Sequence, residues 1–134
     1  MKIIKEFWHQ EIIVMDLPII AEHVEDFNAF YDTFLTAIHK AKRNPLRPGW
    51  SLRHDLIGWR EYKFFSKNNP NPQEKPDMRF VYHYDKAPKY FYVLAVGLRN
   101  SKETRYSKEQ HSVYYMAAER LKKITPAYWQ MIQH

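Results

Sequence analysis

Three short stretches from Gly58 onward set basic side chains inside or at the end of β-rich apolar runs. They read Gly58-Trp59-Arg60-Glu61-Tyr62-Lys63-Phe64, Met78-Arg79-Phe80-Val81-Tyr82 and Val93-Leu94-Ala95-Val96-Gly97-Leu98-Arg99. A charge taken out of water without a partner is strongly unfavourable. Cations brought together from neighbouring strands therefore call for an anion. A phosphate group would suit such a patch, because a guanidinium matches its oxygens bidentately. Glu61 and His83 lie in or beside the same stretches, and carboxylate and imidazole are the usual groups for moving protons near neutral pH.

The elements that must hold these residues follow from periodicity. Strands are expected at Glu61 to Phe65, Met78 to Tyr84 and Tyr90 to Val96. A polar excursion separates the first two, and the short Asp85-Lys86-Ala87-Pro88-Lys89 turn makes the second and third an antiparallel pair. Upstream, Glu11 to Met15 reads as a further strand. A helix then opens with Asp16 as its cap and Pro18 in its first turn. Ile20, Val24, Phe27, Tyr31, Phe34, Leu35 and Ile38 give that helix one apolar stripe. Lys40, Lys42 and Arg43 suit its C-terminal dipole, and Asn44-Pro45 stops it. Near the other end, Ser107-Lys108-Glu109-Gln110 matches a capping box for a helix with Val113, Ala117, Leu121 and Ile124 on one face.

The fold class expected from this order is α+β, a small antiparallel sheet with helices on one face. One domain spans 1–134, with polar loop extensions at 66–77 and 100–106 and a C-terminal tail at 126–134. Side-chain alternation sorts the faces. Tyr62, Phe64, Phe80, Tyr82 and Tyr84 form an aromatic face to bury against the long helix. Lys63, Arg79 and His83 then look out from the other face, and Glu61 shares that side with Lys63.

Composition narrows the partners. With 45% hydrophobic and 16% aromatic residues the chain has apolar mass for a folded core. A formal charge of +6 and a pI near 9.4 favour polyanionic partners. Only 3 glycines and no P-loop or dinucleotide fingerprint are present, and the lack of Cys removes thiolate chemistry and Cys-based zinc sites. The seven histidines are scattered without a metal-binding spacing, so neither a metal nor a cofactor is expected. No stretch approaches the length of a membrane span and no signal peptide opens the chain, so a cytoplasmic protein with no membrane partner is expected.

Taken in order, Gly58…Tyr62-Lys63-Phe64, Arg79-Phe80-Val81-Tyr82, Val93 to Arg99 and Val113-Tyr114 resemble the core signatures of RelE/ParE-type toxins of bacterial toxin–antitoxin systems, over roughly Phe27 to Leu121. The resemblance implies a microbial-RNase-like fold and, in the RelE branch, cleavage of mRNA in the ribosomal A site. It places Lys63, Arg79, Arg99 and Tyr114 at matching site positions, and it implies RNA and a cognate antitoxin protein as partners. The position two after Lys63 holds Phe65, where the family pattern has a second lysine.

Cleavage by this route deprotonates a 2′-OH, which attacks the adjacent phosphate, and protonates the departing 5′-oxygen. Arg79 and Arg99 suit the charge that develops on phosphorus. Lys63 suits charge stabilisation or base catalysis, and Tyr114 suits proton donation or stacking. Glu61 and His83 are the conventional acid–base types. Two other readings stay open: a ParE-like inhibitor of DNA gyrase, and a catalytically silent protein- or nucleic-acid-binding domain.

Overall fold

The computed structural model describes residues 3–47, 50–98 and 113–134. Among these the chain forms β1 (Lys5–His9), α1 (Leu17–Ala21), α2 (Phe27–Arg43), β2 (Arg60–Phe64), β3 (Met78–Asp85), β4 (Tyr90–Leu98), α3 (Val113–Leu121) and β5 (Trp129–Ile132). The strands make one five-stranded sheet in the order β2-β3-β4-β1-β5. The α+β class stands, and two finer expectations are corrected. The sheet is mixed rather than antiparallel, because β1 runs parallel to β4, with Lys5 opposite Tyr90 and Trp8 opposite Val93. The helices also cover both faces rather than one.

The reason lies in β3 and β4. Met78 to Tyr82 and Val93 to Gly97 are buried at every position, as expected of strands covered on both sides. Phe30, Phe34 and Ile38 of α2 pack on the aromatic face formed by Phe64, Phe80, Tyr82 and Phe91. On the opposite face Val113 and Ala117 of α3 pack on Val81, Leu94 and Ala95. The face expected to look outward at Arg79 is therefore roofed by α3. Gly97 permits that approach, since a Cβ there would come within 3.2 Å of the Val113 Cβ.

A β-bulge divides β4 between the two faces. Val81 lies opposite Ala95 but Tyr82 opposite Val93, so Leu94 is the extra residue. Leu94 and Ala95 consequently both serve the α3 face, while Phe91, Val93 and Val96 serve the α2 face. Backbone groups around the bulge are satisfied by a buried ion pair. The Val96 N–H donates to Asp16 Oδ2 at 3.0 Å, and Arg120 Nη1 donates to the Leu94 carbonyl at 2.9 Å and to Asp16 Oδ2 at 2.8 Å. Arg120 Nη2 donates to Asp16 Oδ1, completing a bidentate contact. Burial pushes the Asp16 carboxyl up, opposed by Arg120 and the Val96 N–H.

This pair explains the corrections near the N-terminus. The strand expected at Glu11 to Met15 lies earlier, at Lys5–His9, and Ile12–Asp16 forms a π-helical turn. That turn buries Ile12 and Asp16 and leaves Ile13, Val14 and Met15 exposed. The need to deliver Asp16 to Arg120 overrides the strand preference of the β-branched run. Asp16 does not cap the helix that follows it. The expected long helix is also broken: α1 ends at Ala21 and α2 restarts behind Asp26, whose Oδ1 accepts the Ala29 N–H at 3.1 Å. The C-terminal tail packs back on the sheet, with β5 antiparallel to β1 and His9 opposite Trp129. Residues 100–106 and the capping box at 107–110 lie outside the described residues. No helix among the described residues is long and apolar enough to cross a membrane.

Two stability predictions follow from these burials. Removing one member of a buried pair strands the other, so Arg120→Met should cost about 3–5 kcal/mol in urea unfolding. Adding Asp16→Asn to that variant should cost less than the sum of the two single changes. The second concerns His9, which is 2% exposed and stacks on Tyr128 at 5.2 Å, with Nδ1 accepting the Glu11 N–H. Burial, then the Arg120 charge, lowers its pKa from 6.5 to about 4. The unfolded chain therefore binds the extra proton between these values, and His9 makes stability rise with pH across that window. His9→Gln should flatten the rise by roughly 1–3 kcal/mol, read from urea midpoints across the window.

Candidate functional site

The site is built where β2, β3 and α3 meet. Pairing of β2 with β3 sets Lys63 opposite Arg79 and Glu61 opposite Val81. Alternation and contacts point Glu61 and Arg79 toward α3, which contributes Tyr114 from its first turn. The Tyr114 hydroxyl donates to Glu61 Oε1 at 2.7 Å, and Arg79 Nε stands 3.2 Å from the same oxygen. Arg79 Nη1 donates to the carbonyls of Met78 at 3.0 Å and Pro76 at 3.3 Å. The side chains of Arg79 and Glu61 are 5% and 20% exposed, so the guanidinium is held rigidly while the carboxylate keeps contact with water.

Of the expected site residues, Glu61, Arg79 and Tyr114 form one cluster, joined by the Tyr114–Glu61 hydrogen bond and the Arg79–Glu61 ion pair, and Lys63 pairs across from Arg79 at the β2 edge. The anion that a buried Arg79 requires is supplied by Glu61. Glu61 Oε2 has no hydrogen-bond partner among the described residues. His83 lies elsewhere. Its Nδ1 is 3.1 Å from the Gly58 carbonyl, and its ring sits between Trp59 and Tyr92 at centroid distances of 5.4 and 6.4 Å. Arg99 lies outside the described residues.

Lys63 is exposed and makes no ion pair among the described residues. It joins Lys40 and Lys67 around a depression of about 380 Å³ at the β2 edge, with Thr33 and Thr36 of α2 on one side and Phe65 in its wall. No carboxylate lines this depression, although Lys67 pairs with Glu74 nearby at 2.8 Å. Phe65, at the position where the resemblance leads one to expect lysine, is half-buried. Lys67 lies four residues beyond Lys63 in the loop after β2, whereas Lys40, far from Lys63 in sequence, carries no local signal connecting it to Lys63. Nor does Trp129, which the β5–β1 pairing brings to Tyr92 at 4.9 Å and to Trp59 at 6.3 Å.

Among the described residues no group of three or more His, Cys, Asp or Glu could hold a metal ion. What the cluster offers chemically is a carboxylate fixed between a guanidinium and a phenol, with the exposed Lys63 paired across from Arg79 at the β2 edge. No protein-family model matches this chain, nor does any curated protein or solved structure.

Burial, and then the Glu61 carboxylate that its hydroxyl donates to, raises the Tyr114 pKa above the usual value of 10.0. A phenol raised in the fold contributes stability that is intact below its unfolded pKa and lost as pH climbs through the folded one. Tyr114→Phe should cost about 1–3 kcal/mol near neutrality, since its hydroxyl serves a charged acceptor. It should also make the loss of stability above pH 10.0 shallower. Urea midpoints on either side of that pH measure both effects.

Proposed function

We propose that this chain is a RelE/ParE-type, toxin-like endoribonuclease that cuts mRNA on the ribosome in the cytoplasm, with a cognate antitoxin protein as its regulator. The observation that carries the reading is the shared oxygen of Glu61. Arg79 and Tyr114 both engage Oε1, which orients the carboxylate and leaves Oε2 for a substrate proton. In this scheme Oε2 takes the proton of a ribose 2′-OH. The 2′-oxygen bonds to phosphorus, and the bond to the 5′-oxygen breaks. Products are a 2′,3′-cyclic phosphate and a 5′-hydroxyl.

Arg79 sets a fixed positive charge against the negative charge developing on phosphorus. Once Glu61 has accepted the 2′-OH proton, it no longer opposes ionisation of Tyr114. The phenol can then pass its proton to the departing 5′-oxygen, and water exchange resets both groups. Lys63, with Lys40 and Lys67, supplies exposed cations for the flanking phosphates. The expected Arg99 contribution is part of this proposal through the resemblance alone.

One observation favours a second reading, a catalytically silent nucleic-acid- or protein-binding domain. The Arg79 guanidinium is nearly buried and committed to Glu61 and two backbone carbonyls, an arrangement a purely structural pair would also show. Induction in a bacterial host followed by mapping of mRNA 5′ ends separates the readings. Growth arrest with codon-phased cuts is expected. Arrest with intact mRNA and DNA-damage signals would point instead to a gyrase inhibitor, and no cutting by the folded protein would leave the silent domain.

Glu61→Gln should lower the cleavage rate by about 10²–10⁴-fold while the protein stays folded. Lys63→Ala should mainly weaken RNA binding and reduce its salt dependence, with little change in thermal stability. Gel-based cleavage of a defined RNA, with binding measured at several salt concentrations, reads both.

A further inference from the structure

Four aromatic rings close a circuit on the α3 side of the sheet. Trp59 meets His83 at 5.4 Å, His83 meets Tyr92 at 6.4 Å, Tyr92 meets Trp129 at 4.9 Å, and Trp129 returns to Trp59 at 6.3 Å with nearly parallel rings. All four are half-buried, so each packs on the protein while showing part of its ring to solvent. They line a groove of about 350 Å³, completed by the end of α3 and the residues after it. That volume lies in the range of small-ligand pockets. No charged side chain contributes to its lining.

The groove also contains an oriented polar atom. Gly58 has φ of +90°, a conformation that favours glycine, and its carbonyl meets His83 Nδ1 at 3.1 Å. A carbonyl can only accept, so Nδ1 carries the proton and Nε2 of the neutral ring is an acceptor. Nε2 has no hydrogen-bond partner among the described residues. Flat apolar walls with one fixed acceptor and no charge suit a planar heterocycle bearing N–H groups on its edge. A cationic ligand would lack a counter-ion here, and a phosphate would lack a cation.

We infer that this groove binds a nucleobase of single-stranded RNA, stacked on Trp59, Tyr92 or Trp129, with an edge N–H donated to His83 Nε2. The inference rests on the proposed ribonuclease reading for its choice of RNA. The groove lies on the same sheet face as the Glu61 cluster: His83 follows Arg79 by four residues along β3, about 13 Å at strand spacing. A strand with a phosphate at Lys63, which pairs across from Arg79 at the β2 edge, would have a base within reach of the rings a nucleotide or two further on. Combining a basic track with aromatic platforms is how single strands are held without strict sequence readout. In this arrangement His83 is a base-contacting residue rather than an acid or base of the cleavage step.

The test uses the full chain and a short all-2′-O-methyl oligonucleotide, which cannot be cut by 2′-OH attack. Titration should quench tryptophan emission, because Trp59 and Trp129 lie in the groove. Trp129→Leu should weaken binding about tenfold or more, with the remaining signal from Trp59 reduced. His83→Leu should weaken it about fivefold, and His83→Gln, which restores an acceptor, should recover most of that loss. Thermal melts establish that each variant is folded. His83→Leu, which leaves all three larger rings in place, keeps the question open to refutation if Trp129→Leu unfolds.

At high salt, where phosphate contacts fade, the difference between wild type and the groove variants should persist. Equal affinity of wild type and both folded groove variants would overturn the inference. So would no oligonucleotide binding at all, or quenching by a tryptophan-containing peptide but not by the oligonucleotide. Groove-dependent binding without cleavage of unmodified RNA would uphold this inference and defeat the nuclease reading. Cleavage with no groove dependence would do the reverse.

Discussion

The ion pair between Asp16 and Arg120 fastens three parts of the chain that have no local reason to meet. It joins the turn after β1, the bulge of β4 and the last turn of α3, and it satisfies backbone groups around that bulge. A buried ion pair is a weak source of net stability, because desolvation offsets most of its attraction. Its value here is positional. With Arg120 tied to β4, α3 lies over Gly97 and Ala95, and Tyr114 at its start reaches Glu61. The candidate site therefore inherits its geometry from a contact it does not contain.

The same rule of partnered burial governs the other charges. Glu6, 2% exposed, accepts from Trp8 Nε1, Lys42 Nζ and His134 Nε2. Glu61 meets Arg79, and Asp16 meets Arg120. Each of these carboxylates is matched by a cation, so the formal excess of +6 is not consumed by the interior. Lys40 and Lys63 lie exposed at the surface with no ion pair among the described residues, while Lys67 pairs there with Glu74. The neutralised cluster lies under α3, while the lysine-lined depression opens at the β2 edge beside α2.

Much of the fold was legible because alternation is a strong local signal. The strands β2, β3 and β4 fall within two residues of their expected ends, and the aromatic parity of Tyr62, Phe64, Phe80 and Tyr82 survives in the α2 core. The stripe of Phe27, Phe34 and Ile38 marks α2 for the same reason. Illegible were the features set by distant partners. Nothing local distinguishes Glu11 to Met15 from a strand until Asp16 finds Arg120. Nothing in Trp129 announces that β5 will pair with β1 and carry that ring to Trp59. The roof over Arg79 was missed because a strand buried on both faces reads as alternating once its aromatic residues are weighed more heavily than Val81, Ala95 and Gly97.

By itself the sequence determined the element types of β2, β3 and β4, the side on which Glu61 and Arg79 project, and the surplus of positive charge. These depend on strand periodicity and composition, which are local or additive properties. Tertiary structure alone decided that Arg79 is buried against Glu61, that Tyr114 joins them and that His83 leaves them for an aromatic groove. Those outcomes hinge on a second helix crossing the sheet, a bulge that hands Leu94 to it, and an ion pair spanning most of the chain. Contacts between residues so far apart are selected by burial and charge balance over the whole molecule, and no window of sequence carries that sum.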